Sequence, residues 1–158
     1  MKKRIIKEGD ARASKPGEPW LDLDCIAEIE ITSEDPEHPI DSAIAGEDHG
    51  TGWRAANPGE QMIRICFLEP TSLRRIRIIF EEESARRTQE FVLRWAAGDG
   101  TELREIVRQQ YNFNPPYAMR EVEDYEVNLD DAKVIELRIN PSISGGEIFA
   151  TLGKLRMR

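Results

Sequence analysis

Hydrophobic and polar residues alternate with a period of two along most of the chain beyond residue 25. In IAEIEIT (26–32), Ile29 and Ile31 alternate with Glu28 and Glu30. QMIRICF (61–67) sets Ile63, Ile65 and Phe67 on one side. LRRIRIIF (73–80) does the same with Ile76, Ile78 and Phe80, while Arg75 and Arg77 face the other way. EFVLRWA (90–96) aligns Phe91, Leu93 and Trp95. LREIVRQ (103–109), REVEDYEV (120–127), VIELRIN (134–140) and FATLGKLRMR (149–158) bring the strand candidates to eight. Side chains on a strand point alternately to opposite faces, so this pattern predicts half-buried strands. No stretch carries a long amphipathic helix, and the nearest, Pro39–Ala45, offers a turn or two.

Eight alternating strands with turn signals between them predict an all-β fold, an eight-stranded antiparallel β-sandwich of jelly-roll type. The connections sort into two kinds. LEPTS, AGDGT and NLDDA are short, whereas Ser33–Glu60, Glu81–Gln89, Gln110–Met119 and Pro141–Ile148 are long. Strands that alternate in direction gather the four long connections at one end. Loops held by a rigid sheet are where binding residues concentrate, so that end is the candidate site.

At 158 residues the chain suits one domain, read as an irregular lead-in over 1–20 and a β-sandwich over 21–158. An edge strand around Ile5–Ile6 is the one element the lead-in suggests. A net charge of −8 argues against tight nucleic-acid binding, which needs clustered cationic charge. No apolar run is long enough for a membrane span or for the core of a secretion signal, so a cytoplasmic location is expected. Of the two cysteines, Cys66 falls in a strand pattern and reads as a small buried thiol; a disulfide to Cys25 is not indicated.

PIDSAIAGEDHGTGW (39–53) packs Asp41, Glu47, Asp48 and His49 into a Gly-rich segment closed by Trp53. His38 and His49 are the only histidines, too few for an ordinary zinc site. Ser42, His49 and Asp41 supply the residue types of a nucleophilic triad, but no nucleophile elbow accompanies them. No Gly-rich phosphate loop runs from a strand into a helix. The expectation is therefore a protein that is not an enzyme, with Trp53 as a packing residue. In SARRTQEF (84–91), Arg86, Arg87 and Gln89 sit at the mouth of one long connection. Arginine suits sugar hydroxyls, carboxylates or an acidic partner; ion pairing with Glu81–Glu83 is the alternative. QQYNFNPPYAM (109–119) offers Tyr111, Phe113 and Tyr117 among Asn112 and Asn114. Aromatic faces with planar amides suit sugars, although Tyr111 and Phe113 turned inward would cap the sandwich instead. NPSISGGEIF (140–149) reads as a reversal into the last strand.

Two stretches resemble a known family: SAIAGEDHGTGWRAANPGEQMIRICF, and RRIRIIFEEESARRTQEFVLRW followed by a Gly turn and REI. Together, from about Cys25 to Met157, they resemble the discoidin or coagulation-factor type C domain, the galactose-binding-domain-like jelly roll, as in bacterial carbohydrate-binding modules. That group also includes lipid-binding modules and intracellular scaffold domains. The resemblance implies a structural calcium held by an Asp in an Ala-Ile-Asp-Gly turn, by loop carbonyls and by a Glu in the last strand. Here Ala45 and Lys154 stand at those two positions. The expectation is that Lys154 replaces the ion, its charge met by Glu47, Asp48 or loop carbonyls, and that no cofactor is needed. A register shift that brings in Glu47 or Asp48 would instead retain calcium.

Two functional readings stand. The first is a non-catalytic carbohydrate-binding module with Arg54, Arg86, Arg87, Tyr111, Asn112, Phe113 and Tyr117 as ligand-binding candidates on the long loops. The second is an intracellular scaffold domain that docks a protein partner.

Overall fold

The period-two segments fold into paired strands because pairing satisfies their backbone groups while one face of each is buried. The structure, a computed structural model, describes residues 19–45, 50–98 and 102–158. Its elements are α1 (Leu23–Ile26), β1 (Ala27–Ile31), α2 (Asp41–Ile44), β2 (Trp53–Arg54), β3 (Gln61–Glu81), β4 (Arg87–Ala97), β5 (Arg104–Phe113), β6 (Arg120–Asn140), β7 (Thr151–Leu152) and β8 (Lys154–Met157). The suggested edge strand at Ile5–Ile6 and the loop residues Glu47, Asp48 and His49 lie outside the described residues.

The long strands β3 and β6 organise the rest. They pair antiparallel from Gln61↔Ile139 to Glu81↔Arg120. Phe80 pairs with Glu121, and Phe91 of β4 pairs with Ile139, so the two partners lie eighteen residues apart along β6. An extended strand of that length spans on the order of 60 Å. Yet the Phe80 and Phe91 rings are 5.2 Å apart, centre to centre. The ladder is therefore folded over on itself. The register slips between Cys66 and Arg75 mark the bend, since irregular pairing lets strands turn sharply.

Folding over makes two layers. One runs β1, first half of β3, second half of β6, β4, β5; the other runs β8, second half of β3, first half of β6. This is the antiparallel jelly-roll sandwich the alternation predicts, with one difference. LEPTS and NLDDA are not free turns. Pairing continues through them, at Thr71↔Ala132 and Leu73↔Leu129, so two expected strand pairs are two continuous strands. The last strand candidate is instead broken at Gly153, whose N–H donates to the Ile79 carbonyl (2.7 Å). Ile63, Ile65, Phe67, Ile76, Ile78, Phe80, Phe91, Leu93, Ile135, Leu137, Ile139 and Leu155 form the core between the layers. Cys66 falls on the opposite parity from Ile65 and Phe67, so it is half-buried on the outer face beside Glu30, and both cysteines are free thiols.

All four long connections meet at one end. Gly59 N–H donates to the Ile148 carbonyl, Glu82 N–H to Met119, and Ile143 N–H to Thr88. Trp53 packs as expected, fully buried, with its indole N–H on the Ser33 carbonyl (3.1 Å). At the N-terminal side Trp20 lies between the Arg77 and Arg158 guanidiniums, and Leu21 N–H donates to Met157.

The two-layer contact is testable by a double-mutant cycle. Phe80→Leu and Phe91→Leu, measured singly and together by urea denaturation, should show a coupling of about 0.5–1.5 kcal/mol, the range for a facing aromatic pair.

Candidate functional site

The end where the long loops meet is built on a buried guanidinium. Arg87 opens β4, and its side chain has no exposed surface. Its Nε donates to Glu82 Oε1 (2.7 Å), Nη1 to Gln89 Oε1 (3.0 Å) and the Pro141 carbonyl (2.9 Å), and Nη2 to Thr151 Oγ1 (3.3 Å). The guanidinium carbon lies over the Phe113 ring, 4.6 Å from its centre. One side chain thus reaches all the segments that frame this end of β4. Burial alone would raise the Glu82 carboxyl, but Arg87 and the Ala85 and Ser84 N–H groups outweigh it and hold the carboxyl below its ordinary range.

Beneath this cluster sits a polar residue on an inner face. In β6, residues 121, 123, 125 and 127 point inward and Val122 points out, 49% exposed. Glu121 is therefore buried, at 1% exposure. Its Oε1 accepts from Gln89 Nε2 (3.2 Å), while Oε2 has no partner among the described residues. Burial, reinforced by Glu123, pushes this carboxyl up to about 7, which Gln89 and Arg87 only partly offset.

Two clefts flank the cluster. The larger, about 850 Å³, is framed by Arg86–Thr88, Asn112–Asn114 with Ala118, and Ser142–Ile148. The second, about 470 Å³, lies between Thr51–Arg54, Glu81–Ser84 and Thr151–Gly153. The sequence candidates divide accordingly. Arg86, Arg87, Asn112 and Phe113 come together at the larger cleft, but Arg87 and Phe113 are buried there and form its floor. The Arg87 donors are consumed by Glu82 and its neighbours, which is the ion-pairing alternative. Asn112 and Arg86 remain exposed, with Asn112 Oδ1 accepting from the Thr88 hydroxyl (2.6 Å).

Tyr111 turns partly inward, its ring edge-on to Phe113 at 4.9 Å and its hydroxyl on the Arg120 carbonyl. Only Tyr117 of the three aromatics is offered to solvent, at 88% exposure, beside the larger cleft rather than inside it. Arg54 belongs to the second cleft, where it covers the Phe149 ring. The sequence reading, which noted Asn114 beside Asn112, missed Ser142, Ser144, Gly145 and Gly146 as lining residues. The available signal was the Gly145–Gly146 pair, both at positive φ (81° and 92°), which keeps the backbone of this wall open to approach.

The residues where the resemblance puts a calcium ion do not fit a divalent cation. Lys154 and Arg156 are 9% and 6% exposed. Lys154 Nζ donates to the Ser42 carbonyl (3.1 Å), and Arg156 Nη1 donates to the Ala45 carbonyl. Carbonyl oxygens of this loop, which a hard cation would take as ligands, are already bonded to the chain's own cations. Of the three expected sources of compensation, loop carbonyls supply it here; Glu47 and Asp48 lie outside the described residues.

No protein-family profile matches the sequence, and no curated protein matches it significantly. Solved structures do. A carbohydrate-binding module of Clostridium perfringens, CpGH89CBM32-5 in complex with GalNAc-β-1,3-galactose, aligns with a TM-score of 0.63 at 18% identity, covering 87% of this chain and 98% of that one. The CBM32 of AlyQ in complex with 4,5-unsaturated mannuronic acid aligns at 0.56 and 16% identity, covering 84% and 95%. A Ruminococcus gnavus GH29 fucosidase mutant in complex with fucose aligns at 0.60 and 12% identity; the likeness covers 83% of this chain but 24% of that one. The chain therefore shares the jelly-roll sandwich fold of these modules, as its sequence predicts.

Two measurements probe this site. Glu121→Gln keeps an acceptor for Gln89 but removes the ionisation. Because the folded carboxyl titrates near 7, above its ordinary value, the wild type loses stability as pH rises from the ordinary carboxylate range to about 7 and levels off beyond it, and the variant should show a flatter profile over that window and a higher Tm above neutrality. Lys154→Met should lower stability by about 1–3 kcal/mol, the cost of leaving a buried carbonyl unsatisfied. Excess chelator should leave the wild-type Tm unchanged.

Proposed function

We propose that this domain is a non-catalytic carbohydrate-binding module and that the larger loop-end cleft is its ligand site. The observation that carries the reading is the lining of that cleft. Asn112 and Asn114 amides, Ser142 and Ser144 hydroxyls and the exposed Arg86 guanidinium converge there on a rigid floor of Arg87 and Phe113. Such a set of donors and acceptors at fixed positions suits the hydroxyls of a sugar ring. Tyr117 at the rim adds an apolar face. No general acid, base and nucleophile converge among these lining residues, which favours binding without chemistry. The neighbours that share the fold include modules bound to GalNAc-β-1,3-galactose and to an unsaturated mannuronic acid, which supports sugars as the ligand class.

The test is a glycan array followed by titration calorimetry on the strongest hit. Asn112→Ala and Tyr117→Ala should each weaken binding about five- to tenfold, in line with the loss of one hydrogen bond or one stacking face. Both residues are exposed, so Tm should move little. An array without a single hit would overturn the reading.

A further inference from the structure

The chain is strongly acidic, and its arginines are largely matched to carboxylates. Arg64, Arg74, Arg75, Arg77, Arg87, Arg104, Arg108 and Arg138 each pair with an Asp or Glu. Arg54 and Arg158 lie over aromatic rings, and Arg156 is bonded to a carbonyl. Among the described residues, Arg86, Arg94 and Arg120 make no ion pair, side-chain hydrogen bond or ring contact, and of these three Arg86 stands at the mouth of the larger cleft.

The clefts differ in the same sense. The second is lined by Glu81, Glu82 and Glu83 beside Arg54, and a third, on the outer sheet face, holds Glu60 and Glu90 with Arg94, Arg108 and Arg138. Among the described residues, no acidic one lines the larger cleft. The carboxylate bonded to the cleft floor, Glu82, is already matched by Arg87 at 2.7 Å. Glu147 is exposed in the Ser142–Ile148 wall without lining the cleft. An unmatched guanidinium over a carboxylate-free cleft suits an anion, and its planar fork suits a carboxylate.

We propose that this cleft selects an acidic sugar, a glycan residue bearing a carboxylate that Arg86 takes in a two-point contact. The proposal rests on the carbohydrate reading and narrows it. A neutral sugar would leave Arg86 unused, whereas a uronate meets it while its hydroxyls reach Asn112, Asn114 and Ser144.

The probes are oligogalacturonate, the same oligomer fully methyl-esterified, and a neutral galacto-oligosaccharide, titrated into the full chain by calorimetry. The acid should bind about ten- to a hundredfold more tightly than its ester, the difference one charge-assisted contact makes. That preference should vanish in Arg86→Gln, shrink in Arg86→Lys, and fall as salt is raised to about 0.5 M. Arg86 is exposed and supports nothing, so an unchanged Tm in these variants confirms that folding is not the cause. Equal binding of acid and ester, or binding of the neutral oligomer alone, overturns the acidic preference and leaves the carbohydrate reading standing. Failure of all three to bind overturns this proposal, and the glycan array then decides the parent reading.

Discussion

The loop end of this domain depends on one buried cation. A guanidinium taken out of water is tolerable only if its donors are met. Arg87 meets that requirement by drawing Glu82, Gln89, Pro141 and Thr151 around itself, with its Cζ over the Phe113 ring. Pro141 and Thr151 lie far along the chain from Glu82 and Gln89, and nothing in their own sequences would hold them together. The requirement of the charge therefore sets the geometry of the loops. The same demand removes Arg87 from the surface, so the residue that looks most suited to a ligand is the one that builds the floor beneath it.

A second charge problem is solved on the flank of the sandwich. The Ser42–Ala45 stretch turns backbone carbonyls inward, and Lys154 and Arg156 of β8 meet them directly. Both cations are in the covalent chain, so this loop is anchored by residues that fold with the strand. Glu136 shows the same habit on the outer face of the larger layer. It is fully buried under Arg64 and Arg138, which outweigh its burial and keep its carboxyl below the ordinary range.

Much of the architecture was legible in the sequence because alternation reports burial directly. Ile63, Ile65 and Phe67, or Ile76, Ile78 and Phe80, have one parity and one face. The long and short connections also declared which end carries the loops. What alternation could not show was whether LEPTS and NLDDA end strands or bend them, because pairing through an irregular stretch depends on the partner strand. The four-residue α1 was hidden for a similar reason, since a single turn leaves no periodicity. The site was less legible. Glu121 sits inside because its strand neighbours Tyr125 and Val127 share its parity, while the polarity of the residue argued the reverse. Phe113 and Tyr117 fall in one stretch and look equivalent as letters, yet Phe113 ends β5 and is core while Tyr117 stands in the turn beyond it and is rim.

The folded ladder of β3 and β6 has a consequence for how the chain reaches this state. Its pairs are nested, from Glu81↔Arg120 outward to Gln61↔Ile139, and the β4–β5 hairpin lies inside them all. Closing the outermost pair first would tie off the longest segment of free chain, whereas closing from the hairpin outward makes each later loop short. The lowest entropy cost thus belongs to an inside-out order, in which β1 and β8 add last to edges already formed. Assembly dominated by such distant pairings is slow for a domain of this size. The half-zipped chain would expose the inner faces of β3 and β6 until the bend brings the two layers together.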